Sequence, residues 1–369
     1  YPLRTRHHHY YRESDPWPKT LLYDLLHEDD YRTAIVSAQN EGWGGMSYFL
    51  DTPGLDLFYD AERSGLKTKR PGADFGFAGE LKAGTLTAGK LDDRDVTRRA
   101  LQWIDDNQDE PFFLSINFQS SHFPYLLSEP VERTFVPCEI DFDASFMYYP
   151  PKKTAIVRNA YFNALFLIDR QIRFLVERLQ ELEKMRPILL VVYGENGEAF
   201  HENGCVTHAK PPYEPMVHVP CILYATDLRQ PEQCDYPIQL IDVVPTALGL
   251  LGYSPHANFQ GIDVFSSNRP RIEHRDLFLH TELQGVSRVD AIIHAGRWKL
   301  HHNREEGRFL LFDLANDPGE KTNLLESHSD IAEDLIVKLR RWRAEQLAYY
   351  HFPHYYERYF PPSLPLTRK

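Results

Sequence analysis

The stretch Pro187-Ile188-Leu189-Leu190-Val191-Val192-Tyr193-Gly194-Glu195-Asn196-Gly197 constrains the fold of this chain more than any other. Its apolar run is too continuous to alternate between a wet and a dry face. It therefore reads as a strand buried on both sides, as in a parallel sheet covered by helices. Ligand sites in such sheets form at the carboxyl ends of the strands, which is where Glu195 and Asn196 fall. Gly194 and Gly197 let the backbone turn sharply and come close to a ligand. His208 and Lys210 follow in the next loop, so a carboxylate, an amide, an imidazole and an ammonium converge on one strand end. The same residues also suit an ordinary strand-to-loop turn, and this stretch alone does not separate the two readings.

Two further runs share the design. Thr33 to Ser37 predicts a buried strand with the polar tip Gln39-Asn40-Glu41-Gly42, and Pro111 to Phe118 predicts another that leads to Ser120-Ser121-His122. Helical spacing precedes or follows each of them. Thr20 reads as the cap of a short amphipathic helix ending near Asp30, and Val96, Ala100, Trp103 and Ile104 mark a helix from Asp95 to Asn107. The longest helix is expected from Thr154 to Lys184, followed later by a strand from Val219 to Ala225 and a helix from Ile241 to Leu251. Strands alternating with helices predict an α/β fold on an open, mostly parallel sheet flanked by helices, with the three polar tips on one edge.

Residues 1–262 are expected to form this α/β domain, with the irregular stretches Gly44 to Lys90 and Leu126 to Pro151 shaping a pocket. Beyond them, Ala291 to His294, Arg297 to Leu300 and Arg308 to Asp313 are short runs separated by turns. With a helix from Ile331 to Ala348 and a Tyr- and Pro-rich tail, residues 263–369 read as a small C-terminal α+β subdomain with an antiparallel sheet.

The formal charge of −12, with no basic block in any segment, argues against a nucleic-acid partner. No stretch approaches the roughly 18 apolar residues that a membrane span needs. Cys138, Cys205, Cys221 and Cys234 are widely spaced and form no CxxC pair, which argues against a zinc site. A disulfide of Cys205 with Cys221 or Cys234 stays open. His7, His8, His9, His301 and His302 read as surface or packing residues.

The chemistry that the three tips support is hydrolysis of an anionic ester. Glu195 and Asn196 offer oxygen ligands to a hard divalent cation that polarises the ester, while Lys210 and His122 hold or protonate the remaining oxygens. Each residue also has a plainer reading: Glu195 as a solvated acid, His122 as a structural imidazole, Lys210 as a surface lysine. The role of His208 is the least defined.

Four segments bear a family likeness: Ser121-His122-Phe123-Pro124-Tyr125, Tyr193-Gly194-Glu195-Asn196-Gly197-Glu198-Ala199-Phe200, Thr207-His208-Ala209-Lys210, and the run from Leu311 through Asp313, Asp317-Pro318-Gly319-Glu320 to Leu324. Through them the chain resembles the sulfatases of the alkaline phosphatase superfamily over nearly its whole length. The resemblance implies an alkaline-phosphatase-like fold and hydrolysis of an organic sulfate ester, on a small molecule or a saccharide. It implies Glu195 and Asn196 as ligands of calcium (magnesium in some relatives), His122 and Lys210 as catalytic residues, and His208, Asn40 and Gln39 at the substrate. A periplasmic or extracellular location also follows from it.

Three departures qualify the likeness. Glu195 stands where the family has Asp, one methylene shorter. Ala38, Gln39 and Asn40 stand where many sulfatases have Lys-x-His. No Cys or Ser here begins the Cys/Ser-x-Pro-x-Arg segment whose first residue becomes the formylglycine nucleophile, and the acidic metal pair that precedes that segment is missing too. The expectation is a chain without its N-terminal part, inactive by itself and with an open gap in its sheet. The alternatives are a phosphodiesterase or phosphonate hydrolase of the same superfamily and a non-catalytic binding protein on this scaffold.

Overall fold

The chain enters its main sheet through the short helix α1 (Leu22–Glu28), which leads into β1 (Arg32–Ser37). After α2 (Met46–Leu50) and β2 (Leu57–Tyr59) come α3 (Asp93–Asp106) and β3 (Phe112–Asn117). These strands form a parallel sheet in the order β2-β1-β3. The computed structural model describes residues 19–42, 45–66, 68, 89–125, 127, 130–208, 210–226, 228, 233–283, 287–351 and 365–368. Most of the expected loop 44–90 and the tail beyond residue 351 lie outside them.

β1 is central and both of its faces are dry: Ala34 and Val36 on one side, and Thr33 and Ser37 on the other, are wholly buried. Its register with β3 runs from Arg32 opposite Phe112 to Ser37 opposite Asn117, so the tips of the two strands leave the sheet side by side. α3 starts at Asp92, whose carboxylate accepts from Arg94 N, and lays Ala100, Trp103 and Ile104 on the sheet. The long helix α4 (Thr154–Glu183) adds Leu175 and Leu182 to the same core. Thr20 does not cap α1. Leu21 holds that position with no side-chain cap, and the Thr20 hydroxyl accepts instead from Asn258 Nδ2 at 2.6 Å, a tertiary contact that replaces the local one.

β4 (Leu189–Tyr193) is a strand where one was expected, but it is only half-buried, with Tyr193 exposed, and not dry on both faces in a parallel sheet. It is followed by the hairpin of β5 (Ala199–Phe200) and β6 (Val206–Thr207), by α5 (Glu214–Val217) and by β7 (Cys221–Ala225). β7 pairs with β4 antiparallel, because the connection holds no helix long enough to carry the chain back across the sheet. Among the described residues β4 pairs only with β7, and β3 only with β1.

After α6 (Val243–Leu250), the strands β8 (Asp276–Leu283), β9 (Ser287–His294), β10 (Trp298–Asn303) and β11 (Arg308–Asp313) form an antiparallel sheet in the order β11-β10-β9-β8. α7 (Ser329–His351) covers it, and Ile292, Leu300 and Leu311 pack with Ala332, Leu335 and Leu339. β8 adds a strand that the apolar pattern did not reveal. It is held through pairs such as His280 opposite Asp290, charged residues that mask the alternation. All four cysteines are free thiols. Among the described residues no helix is long and apolar enough to cross a membrane.

Candidate active site

The tips of β1 and β3 are tied by a polar chain. Asn117 Nδ2 donates to Ser37 Oγ at 3.2 Å, Ser37 Oγ donates to Glu41 Oε1 at 2.6 Å, and Gln39 Nε2 reaches Glu41 Oε2 at 3.5 Å. Glu41 is buried, and burial pushes its carboxyl above the usual range against the hydrogen bonds from Ser37 and Asn117. The charges of Asp60 and Glu195 push in the same direction. The β4 tip therefore lies within electrostatic reach of the β1 tip, although the two strands sit in separate sheets. Asn40 folds into its own turn, its Oδ1 accepting from Gly42 N at 2.8 Å.

The segment after β3 is set by a buried acid of α3. The Asp93 carboxylate accepts from Gln119 N and Ser120 N, each at 2.9 Å, and His122 N donates onward to Gln119 O. His122 Nδ1 lies 2.7 Å from Phe123 O. A carbonyl only accepts, so the proton sits on Nδ1 and Nε2 carries a lone pair. Burial, then the charges of Lys90 and His208, hold the ring down at a pKa of about 3. The sequence reading had His122 holding or protonating an oxygen. Its Nε2 is the ring position left for a ligand, and burial disfavours the charged form of the ring.

His208 arrives on the other side. Its ring centre lies 5.1 Å from that of His122, and Phe146 meets both rings, stacked on His122 and edge-on to His208. His208 Nδ1 pairs with Glu198 Oε2 at 2.9 Å, while the Tyr125 hydroxyl donates to Glu198 Oε1 at 2.7 Å. Thr207 holds the left-handed φ of 56° just before His208, and its hydroxyl donates to Phe146 O at 2.6 Å. Lys210 is buried, with Nζ 3.2 Å from Met147 Sδ, and burial lowers its pKa. The structure thus gathers His122, His208 and Lys210 around the 146–147 segment.

Glu195 and Asn196 are exposed at the β4 tip, and Asn196 Nδ2 donates to Gly197 O at 2.9 Å, which leaves Oδ1 as the acceptor. Gly197 is required here: a Cβ on it would sit 2.1 Å from Pro215 O. A carboxylate and an amide oxygen suit calcium or magnesium in kind, but calcium takes about six to eight oxygens. Among the described residues no group of three or more His, Cys, Asp or Glu side chains could hold a metal ion. The donors present are of the right chemistry and too few.

The site contains residues that sequence reasoning had not placed. Glu198 and Tyr125 were part of the quoted segments without a role, and only the tertiary contact with His208 gives them one. Asp93 was hidden in a helical pattern, and Lys90, with Nζ 3.5 Å from His122 O, in an irregular stretch.

The sulfatase family profile matches residues 3–253. Human arylsulfatase K is 24% identical over 202 residues, which is 52% of this chain and 38% of that protein. The chain thus spans well under half the length of this curated relative. A solved structure of BT4656 in complex with its substrate D-glucosamine-2-N,6-O-disulfate superposes with a TM-score of 0.63 at 13% identity, over 90% of this chain and 83% of that one. The phosphonate monoester hydrolase of Agrobacterium radiobacter does so with a TM-score of 0.61 at 16% identity, over 88% and 80%. At such identities the two structures establish the alkaline-phosphatase-like fold, and the family match assigns the sequence. The chain belongs to the sulfatase family.

Proposed function

We propose that this chain acts in the hydrolysis of an organic sulfate ester, with a sulfated saccharide or a small sulfate ester as substrate. The observation that carries the reading is the convergence of His122, His208 and Lys210 in a chain whose family is the sulfatases. Lys210, desolvated and cationic, binds the anionic sulfate oxygens, and a charge-assisted contact in a dry site is stronger than one in water. Gln39 and Asn40, at the β1 tip, line the substrate side. The bare Nε2 of His122 accepts the hydrogen bond of an incoming hydroxyl.

The reading includes two components that the described residues do not supply. One is the nucleophile, expected to be formylglycine; the other is the set of donors that completes a calcium or magnesium site with Glu195 and Asn196. When bound, the metal would polarise the ester and balance developing charge. Among the described residues the outer edges of β3 and β4 pair with no strand, and Tyr193, Ile222 and Tyr224 leave apolar surface exposed beside β4. A periplasmic or extracellular place of action belongs to the same reading.

A phosphonate or phosphodiester hydrolase is the second reading, since a phosphonate monoester hydrolase shares the fold. The test is an assay of the full-length protein on an aryl sulfate and on an aryl phosphonate, with and without calcium. Faster turnover of the sulfate is expected, and preference for the phosphonate would transfer the assignment. Replacing Lys210 by Ala should lower kcat/KM by roughly a hundredfold or more. An unchanged rate removes Lys210 from the mechanism, and turnover of neither ester leaves the binding-protein reading.

A further inference from the structure

We propose that Met147 is an oxidation site, and that its conversion to the sulfoxide by a peroxide takes the Lys210 ammonium away from an anionic ligand. The consequence for turnover rests on the sulfate-ester reading; the oxidation itself does not.

Lys210 is a buried cation with little to hold it. Its Nζ lies 3.2 Å from Met147 Sδ, and among the described residues it has no other hydrogen-bond partner and no ion pair. A thioether is a weak acceptor, so the ammonium keeps most of its capacity for an anion. Oxidation changes this in one step. The sulfoxide is a polar group with an acceptor oxygen, and away from water such a dipole holds an ammonium more firmly than it would in bulk solvent.

The backbone keeps the sulfur in place. Residues 145–148 form a turn, in which Ser145 N donates to Tyr148 O at 2.7 Å and Tyr148 N to Ser145 O at 3.2 Å. The Ser145 hydroxyl accepts from Met147 N at 3.3 Å and from Tyr148 N at 3.1 Å, the local bonding that suits serine to turns. Phe146 and Tyr149, on either side of this exposed pair, are buried, and Phe146 O accepts from Thr207 Oγ1 at 2.6 Å. The turn is thus pinned at both ends, and the modified side chain stays beside Lys210. Met147 itself is 44% exposed, open to a small oxidant.

The other three methionines lack this combination. Met216 is buried and Met46 half-buried, while Met185, 67% exposed, lies just past the end of α4 and outside the site. Met185 therefore serves as a control for exposure alone.

In the step itself a lone pair of Met147 Sδ takes one oxygen of hydrogen peroxide and the O–O bond breaks. The hydrogen on the transferred oxygen passes to the departing hydroxide, which leaves as water. The thioether is oxidised by two electrons and the peroxide reduced by two. The new oxygen then accepts from Lys210 Nζ, in competition with an oxygen of the anionic ligand.

The experiment treats the full-length protein with hydrogen peroxide and assays it on an aryl sulfate, each variant being compared with its own untreated sample. Wild type should lose about tenfold or more in kcat/KM, chiefly through KM, as for one charge-assisted hydrogen bond to the substrate. Met147→Leu should show no such loss on treatment, and Met185→Leu should lose as much as wild type. Met147→Gln, which brings an amide oxygen to the same place, should be low before treatment and unchanged by it. Methionine sulfoxide reductases of both stereospecificities should restore wild type, and dithiothreitol alone should not. The proposal is overturned by an equal loss in Met147→Leu, or by a Met147 left unoxidised when Met185 is converted. Recovery with dithiothreitol alone, which marks a thiol such as the exposed Cys221 or Cys234, overturns it as well. If untreated wild type cleaves no sulfate ester, the functional reading fails by itself. The inference is then decided by acetylation of Lys210 with an N-hydroxysuccinimide ester, followed by peptide mass spectrometry. Slower labelling after peroxide in wild type and not in Met147→Leu supports it, and an unchanged rate overturns it.

Discussion

Lys299 Nζ lies 3.0 Å from Glu320 Oε1, and both side chains are wholly removed from solvent. Glu214 Oε1 reaches the same ammonium at 2.8 Å, and Glu320 Oε2 accepts from Glu214 N at 2.6 Å. His301, itself buried, hydrogen-bonds to the Pro212 backbone. β10 and the turn after β11 thus grip residues 212–214, the segment directly behind Lys210. The C-terminal sheet thereby anchors an arm of the candidate site.

Breaking this group on one side should be costly, because a charge is left buried without its partner. Glu320→Gln or Lys299→Met should each lower stability by about 3–5 kcal/mol in urea denaturation. The double variant should cost clearly less than the sum of the two. Additive losses would show that the pair is not coupled.

Acid should destabilise the chain before its carboxylates titrate. Burial is the first cause holding both His122 and His301 below the ordinary histidine value, His122 at about 3. In the unfolded chain each takes up a proton near pH 6.5. Below that pH the unfolded state therefore binds more protons, so the stability present at neutral pH is lost as pH falls toward the folded values. Each histidine contributes a slope of up to about 1.4 kcal/mol per pH unit. Glu41 and Glu320, both raised by burial, take up a proton in the folded state first as pH falls and so oppose this effect. Tm should fall from pH 7 to 5.5, less steeply in His301→Gln; an equal slope in the variant removes His301 from the effect.

Two glycines separate steric from conformational cost. At Gly197 an added Cβ would meet Pro215 O at 2.1 Å, whereas at Gly204, with φ of +72°, it would meet nothing within 4 Å. Gly204→Ala should cost about 1 kcal/mol for the left-handed backbone alone. Gly197→Ala should cost about 1–3 kcal/mol, the range for overpacking, and also reduce activity by moving the β4 tip. Thermal denaturation of both variants checks the order.

Asp93→Ala removes the acceptor of Gln119 N and Ser120 N from a site with no solvent access. Two buried donors left unsatisfied should cost about 1–3 kcal/mol each. Because those amides set the segment that carries His122, kcat should fall as well; full activity at permissive temperature would show that His122 is placed by other contacts.

What the sequence determined was whatever is written in local pattern. Continuous apolar runs placed β1, β3 and β4, helical spacing placed α3 and α4 within a few residues, and the polar tips at Gln39, His122 and Glu195 were legible because strand ends in an α/β sheet are where chains become polar. Relations between residues far apart in sequence were not legible. The antiparallel course of β7, the replacement of the Thr20 cap by Asn258, the strand β8 and the Lys299–Glu320 pair depend on which surfaces meet, and no local period encodes that. The same holds for the surroundings of His122 and His208. Two histidines look alike in sequence, and only the Phe123 carbonyl on one and the Glu198 carboxylate on the other, both supplied by the fold, decide which nitrogen of each ring is engaged and which is left free.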